Sequence, residues 1–324
     1  MTLLSAPFVS DHFDGRQFFN PSGANGQPFW RLPRLFLTRR APWPKRVPVQ
    51  PHRPPRPSGP DEMVVTFIGH ATFLIQTSGG NLLTDPMYSQ RASPLRFAGP
   101  RRVAAPGVEF DDLPQIDLVL LSHNHYDHCD LPTLRALEGR FHSRLITPLG
   151  NGRLVRSAGV HRVEELDWWQ QAASASLHVT LVPAQHFSAR GPLDRNRALW
   201  GGFIIESGSL RIFFAGDSGY GDHFAEIRER FAPIDLALLP IGAYEPRWFM
   251  KDVHMNPEEA VQAHLDLGAN RSIGMHFGTF QLTAEGIADP VKGLDKALQA
   301  EEVPSSWFQV LEFGESLRIG PSAS

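Results

Sequence analysis

The chain predicts a layered α/β fold, and three observations carry that reading. Short apolar runs rich in Val, Ile and Phe alternate with segments of helical periodicity. Several of those runs end in His or Asp, as strands do when they deliver side chains to a shared rim. With 324 residues and 42% hydrophobic content, the chain can bury one large core or two modest ones. The order of strand blocks and helices fits an αββα sandwich, two sheets face to face with helices outside, while the pattern alone admits other α/β layerings.

Taken in order, residues 1–60 form a Pro/Arg-rich arm with interspersed aromatics (Phe18, Phe19, Phe29, Trp30, Phe36 and Trp43). Proline recurs so often from Pro42 to Pro60 that this stretch excludes helix and central strand and predicts extended chain. Two roles are open to the arm. It can pack across the domain, or it can meet lipid or a partner through Arg31, Arg34, Arg39, Arg40 and Lys45 beside Trp30, Leu35 and Phe36. A β-meander follows over 64–68, 72–77 and 82–84, with Gly turns between. Residues 86–115 predict a long loop bearing Arg91, Arg96, Arg101 and Arg102, either solvated or facing an anionic substrate. The apolar stretch 117–122 predicts a strand and 131–137 a helix, with Asp130 fitting its cap and Pro132 its first turn. Further strands are expected at 144–147, 160–166, 176–183, 199–206, 210–215, 236–240, 271–275, 309–313 and 316–319. Helices are expected at 151–158, 224–231, 257–267 and 290–299; the third has Asn256 as cap, Pro257 in its first turn and two glutamates suited to the helix dipole.

The loop between 122 and 131 reads His123-Asn-His125-Tyr-Asp127-His128. Imidazole and carboxylate are donors that zinc, iron and manganese accept, and no thiolate cluster competes. Residues 123 and 125 alternate onto one side of an extended backbone, while Asp127 and His128 lie further round the turn, so one loop can present two pairs of ligands to two adjacent metals. A lone His-x-His is weak evidence; His-x-His-x-Asp-His after an apolar strand is specific.

That motif resembles the signature of metallo-β-lactamase-fold hydrolases. Together with Gly69-His-Ala-Thr-Phe-Leu-Ile75, the loop 123–130, Gly216-Asp-Ser-Gly-Tyr220 and His276-Phe-Gly-Thr-Phe280, it is similar to the N-acylphosphatidylethanolamine-hydrolysing phospholipase D family, over about residues 14–313. The resemblance implies the αββα four-layer sandwich, with an extended arm at 1–60 and a hydrolase domain at 61–324. It also implies a binuclear site. His123, His125 and His186 would hold one metal, Asp127, His128 and His276 the other, and Asp217 would bridge them. Two Zn²⁺ are expected, with iron or manganese also fitting the donors. Asp127, Asp217 and His254 are the expected catalytic residues, His254 lining the site towards substrate. His70 is expected to hydrogen-bond beneath the metal loop and Asp85 to orient a ligand histidine. Tyr126 and Tyr220 are either phenol donors near the site or packing. Cys129 is not a ligand in this pattern.

The implied activity is zinc-dependent phosphodiester hydrolysis by a metal-bridging hydroxide, on a phosphodiester substrate that includes phospholipid. The alternative is a lactonase or other hydrolase of a small anionic substrate. A metal-fold scaffold without activity has no need of seven ligands. There is no G-x-S-x-G elbow, Walker A loop or G-x-G-x-x-G loop, and the net charge of −3 offers no basic exosite for nucleic acid. One cysteine fits a reducing compartment. The first seven residues lack a basic n-region and no run approaches a membrane span, so a cytoplasmic location is expected, with peripheral membrane contact and an oligomer both left open. His142, His161, His178, His223 and His264 have no motif context.

Overall fold

The computed structural model describes residues 9–24, 26–27, 29–174 and 176–320, and in it the apolar runs assemble into two seven-stranded sheets. The first begins with β1 (Met63–Gly69), β2 (Thr72–Thr77), β3 (Gly80–Thr84), β4 (Leu118–Leu120), β5 (Arg144–Pro148) and β6 (Val163–Leu166), in spatial as well as chain order. The second holds β7 (Gln171–Ser174), β8 (Leu177–Val182), β9 (Gly202–Ser207), β10 (Leu210–Phe214), β11 (Leu236–Pro240), β12 (Ser272–Met275) and β13 (Phe308–Gln309). The chain then returns to the first sheet as β14 (Ser316–Ile319), antiparallel to β1.

Side-chain parity explains the layers. Phe67, Phe73, Ile75, Leu118 and Leu120 share one cluster with Phe203, Ile205, Ile212, Phe214 and Leu238 of the second sheet. Their neighbours Ile68, Leu74, Val119 and Leu121 enter a separate cluster with Leu134 and Leu137 of α2 (Leu131–Phe141) and Val155 of α3 (Gly152–Ser157). Period-two alternation with both parities apolar requires cover on both faces, which is the αββα arrangement. On the second sheet, α4 (His223–Phe231), α6 (Pro257–Leu267) and α7 (Asp289–Ala300) contribute Phe224, Val261 and Leu294. The Asn256 cap of α6 is a full capping box with Glu259.

Strand direction positions the site. β1 and β3 are each antiparallel to β2, and β4 is parallel to β3, so β1, β3 and β4 point one way. By the same pairing logic β8, β10, β11 and β12 point one way. His70, Asp85 and the 123–128 loop therefore leave one edge of the first sheet, and His186, Asp217 and His276 leave one edge of the second.

Some expectations need correction. The strand expected over 117–122 is confined to Leu118–Leu120, and past Leu121 the chain leaves the sheet as Ser122 N turns to Asp85 Oδ1 at 2.7 Å. Asp130 stands at the α2 N-cap position, but its carboxylate accepts from Ser89 and Thr133 instead of the helix backbone. β7 was not expected: it is an edge strand whose only apolar side chains are alanines. α5 (Arg247–Met250) is too short to show a period. The strand expected at 309–313 is confined to Phe308–Gln309.

The arm is not extended throughout, since it contains α1 (Leu32–Phe36) with Pro33 in its first turn. Beyond that helix, 42–57 has neither helix nor strand. The arm lies on the domain. Phe18 enters the main core, His12 lies 2.8 Å from Asp167, Trp43 donates to Glu285 O, and Val47 N and His52 N donate to Val103 O and Gly107 O. The side chains of Phe29 and Phe36, and residues 1–8, lie outside the described residues. Among the described residues no helix is long and apolar enough to cross a membrane.

Candidate metal centre

The seven residues singled out as ligands meet at the rim between the sheets, and all but His125 are buried. His123, His125, His186 and Asp217 form one group whose donor atoms lie within 4.8 Å of one another; Asp127, His128 and His276 form a second, with His70 as a fourth member. Asp217 joins them. Its Oδ2 lies 3.1 Å from His128 Nε2 and 3.2 Å from His276 Nε2 in the second group, and 3.8 Å from His186 Nε2 and 3.9 Å from His123 Nε2 in the first. Gly216 makes this approach possible: at φ +60°, a Cβ there would stand 2.8 Å from Ser122 Cβ.

Hydrogen bonding on the far side of the His186 and His128 rings fixes what they turn to the centre. His186 Nδ1 lies 2.9 Å from Val253 O, and a carbonyl only accepts, so that nitrogen carries the proton and Nε2 of the neutral ring is bare. His128 Nδ1 lies 2.7 Å from Asp85 Oδ2, and Asp85 also accepts from Ser122 N and Oγ. The ring nitrogens crowd together at the centre, His128 Nε2 and His276 Nε2 at 3.1 Å and His186 Nε2 and His125 Nδ1 at 3.2 Å, with Asp217 Oδ1 buried and unpartnered. Buried lone pairs without donors are costly, and a cation among them relieves that cost. The donor set therefore fits metal ions.

The electrostatics agree. Burial holds His123 well below its usual range and pushes His125 down to about 3 and His186 to about 4, so these rings are neutral and free to ligate. Burial opposes charge on His276 too, yet Asp217 and Asp127 lift it to about 9, and the same carboxylates raise His128. Burial likewise opposes ionisation of Asp127 and Asp217, but the neighbouring imidazoles, His128 foremost, hold both well below the carboxylate range. The carboxylate pair thus demands positive charge beside it, as protons or as metal. Strain gathers here as well: His70, Asp85, Ala243 and His276 have φ of +59°, +34°, +62° and +64°.

His254 lines a cleft of about 220 Å³ together with His125, Asp127 and Asp217. Its Nε2 is 3.9 Å from Asp217 Oδ2, and its Nδ1 is buried without a partner. His70 Nε2 lies 2.9 Å from Asp127 Oδ2, beneath the loop; its place within ligand range of the second group had no signal in the sequence beyond its position after β1. Neither tyrosine faces the cleft: Tyr220 OH donates to Asp266, and Tyr126 OH to Arg190 O under the Arg190 guanidinium. Burial pushes the Cys129 thiol up to about 12, an inert form. Arg102 is neither solvated nor in the cleft but buried, donating to Met87 O and Ser89 O. Nothing in the sequence signals that α1 and α5 would wall the cleft, through Leu35, Phe249 and Met250.

Comparison with known proteins agrees with this geometry. A family model described as Beta-lactamase superfamily domain matches residues 80–277. An uncharacterised protein of Mycobacterium tuberculosis is 44% identical over 246 residues, covering 74% of this chain; the chain spans only 65% of that relative. N-acyl-phosphatidylethanolamine-hydrolyzing phospholipase D 1 of Caenorhabditis elegans is 36% identical over 266 residues, 78% of this chain and 75% of that protein. A metallo-hydrolase structure from Ignicoccus hospitalis shares the fold, with a TM-score of 0.60 and 22% identity over 80% of this chain and 98% of its own. The chain therefore belongs to the β-lactamase superfamily, with the metallo-β-lactamase fold, and is a homologue of that Caenorhabditis phospholipase D.

Proposed function

We propose that the chain is a binuclear, zinc-dependent phosphodiesterase of the N-acylphosphatidylethanolamine-hydrolysing phospholipase D type. The observation that carries this reading is the pair of donor groups sharing Asp217 at the floor of a cleft with apolar walls. In this reading His123, His125 and His186 hold one ion, Asp127, His128 and His276 the other, and Asp217 spans both. Two divalent cations, when bound, supply a hydroxide at neutral pH and Lewis acidity towards a phosphoryl oxygen. Asp127 and Asp217 offset the cations' charge, while Asp85 and Val253 O hold His128 and His186 in the ligating orientation. His254, kept neutral by burial, presents a ring nitrogen to the substrate, placed to donate to a phosphoryl or leaving-group oxygen.

The walls favour a lipid diester over a small anion. Leu35, Phe187, Pro246, Phe249, Met250 and Leu282 line the cleft, and Arg40 is the cation among them. At about 220 Å³ the cleft is smaller than the ~300–1,000 Å³ of a typical ligand pocket, so it encloses the reacting phosphodiester and leaves acyl chains outside. The 36% identity to the Caenorhabditis enzyme, whose name states that substrate, supports the same choice. The test is to load the protein with zinc and compare turnover of N-acylphosphatidylethanolamine, a soluble aryl phosphodiester and a lactone, with elemental analysis of the same sample. The expected result is about two metals per chain and turnover of the diesters. Lactone hydrolysis with both diesters inert, or no transition metal in replete protein, overturns the reading.

A further inference from the structure

The loop that carries the ligands has two sides. His125 and Asp127 face the metal cleft, while the alternate residues Asn124 and Tyr126 line a separate groove of about 1170 Å³. Five arginines line that groove, Arg91, Arg96, Arg153, Arg190 and Arg197, against two carboxylates, Asp130 and Asp194. The carboxylates are already engaged: Asp130 accepts from Ser89 and Thr133, and Asp194 from the Arg190 and Gly191 backbone. Arg190 braces the loop by donating to Asn124 O and Cys129 O, and Arg91 donates to Gly99 O. Among the described residues Arg96, Arg153 and Arg197 have no ion-pair partner. Asn124 is 7% exposed, and its buried Oδ1 lacks a hydrogen-bond partner.

We propose that this groove is a second anion site, for a phosphate-monoester group, separate from the metal cleft. Guanidinium forks match phosphate oxygens in pairs, and three unpaired arginines around one groove suit a dianion better than a single carboxylate. At about 1170 Å³ the groove has room for a phosphate carried on a larger ester. The loops bearing Arg96 and Asp194 also bear Leu95, Phe97 and Leu193, which are 47%, 80% and 84% exposed. Two sources provide the same chemistry, a phospholipid headgroup at a bilayer and a soluble phosphate ester. The apolar side chains beside the arginines match the first.

The test uses the zinc-loaded full chain and reads binding, not turnover, so its failure leaves the metal-site reading untouched. Cosedimentation with phosphatidylcholine vesicles with and without phosphatidic acid reports the lipid source, and calorimetry with glycerol 3-phosphate the soluble one. The expected result is binding to the phosphatidic acid vesicles that weakens about tenfold or more in Arg153→Gln/Arg197→Gln, at unchanged metal content and melting temperature. Arg96→Gln is the second variant should the double change disturb folding. Leu95→Ser/Phe97→Ser is expected to reduce vesicle binding and spare glycerol 3-phosphate. Glycerol 3-phosphate binding that weakens in the arginine variants without vesicle binding supports the site with a soluble ester as its ligand. Binding that persists at full strength in the arginine variants belongs to the metal cleft and overturns the second site, as does no binding of either probe.

Discussion

Asp217 is the residue on which both donor groups depend, because its Oδ2 approaches rings of each. Asp217→Asn keeps the size but removes the charge and one of two equivalent oxygens. The expected outcome is loss of at least one metal by elemental analysis and a fall in turnover on the order of a hundredfold or more. His254→Ala is expected to differ, keeping both metals while lowering turnover, because the ring lines the cleft beside Asp217 and faces the substrate. The control for both is His142→Ala, whose side chain is 76% exposed and expected to change neither reading. His264 looks equally innocent in the sequence but is unsuitable, since it is buried and bonded to Ser272 Oγ at 2.8 Å. Asp85 tests orientation separately from ligation. Asp85→Asn leaves every direct donor in place but weakens the hold on His128 Nδ1, and about a 10- to 100-fold loss of metal affinity is expected in a competition titration with a chelator. Unchanged affinity would show that packing alone fixes the His128 ring.

At the scale of elements, the sequence was most legible where a strand ends in a candidate ligand. The 123–128 motif, His276 directly after β12 and Asp217 soon after β10 each follow an apolar run whose periodicity marks it as strand. What stayed illegible was contact made at a distance. Nothing local in His12 shows that it stacks on Trp168 at 4.4 Å and reaches Asp167, and nothing in Leu35 shows that it walls the cleft. Short elements such as α1 and α5 fail for a related reason: four or five residues carry too little periodicity to register. The His12 contact gives the arm a pH dependence. Burial lowers the His12 pKa, but hydrogen bonds and charge from Asp167 and Asp11 outweigh it and raise the folded value above 6.5. The stabilisation is then fully present below the unfolded pKa and is lost as pH rises through the folded one. His12→Gln is therefore expected to lower the melting temperature more at pH 6 than at pH 8.5, by scanning calorimetry. An equal loss at both values would mean the stacking on Trp168, not the charge, holds the arm.

On the scale of the whole molecule, the first sheet contributes four of the seven candidate donors and the second sheet three. The first group draws His123 and His125 from the loop after β4 and His186 from beyond β8; the second draws Asp127 and His128 from the same loop and His276 from the end of β12. A metal bound by either group thus ties one sheet to the other at the rim, beyond the apolar cluster that joins them below. Binding to the folded state alone stabilises by RT ln(1 + [L]/Kd), about 2.7 kcal/mol when free metal is a hundred times Kd. For a chain of this size that corresponds to a rise of a few degrees, growing with the logarithm of free zinc. The expected outcome is a melting temperature that falls on chelation and recovers on titration of zinc. Asp217→Asn separates this from general stability. It removes a carboxylate that pairs with His128 and His276 in the metal-free chain, so the chelated variant is expected to melt lower than the chelated parent, and the zinc-dependent rise above that lower baseline should shrink. A full rise in the variant would place the link between the sheets in other residues, and a chelated parent that melts as the loaded one does would mean that the apolar cluster alone joins the two halves.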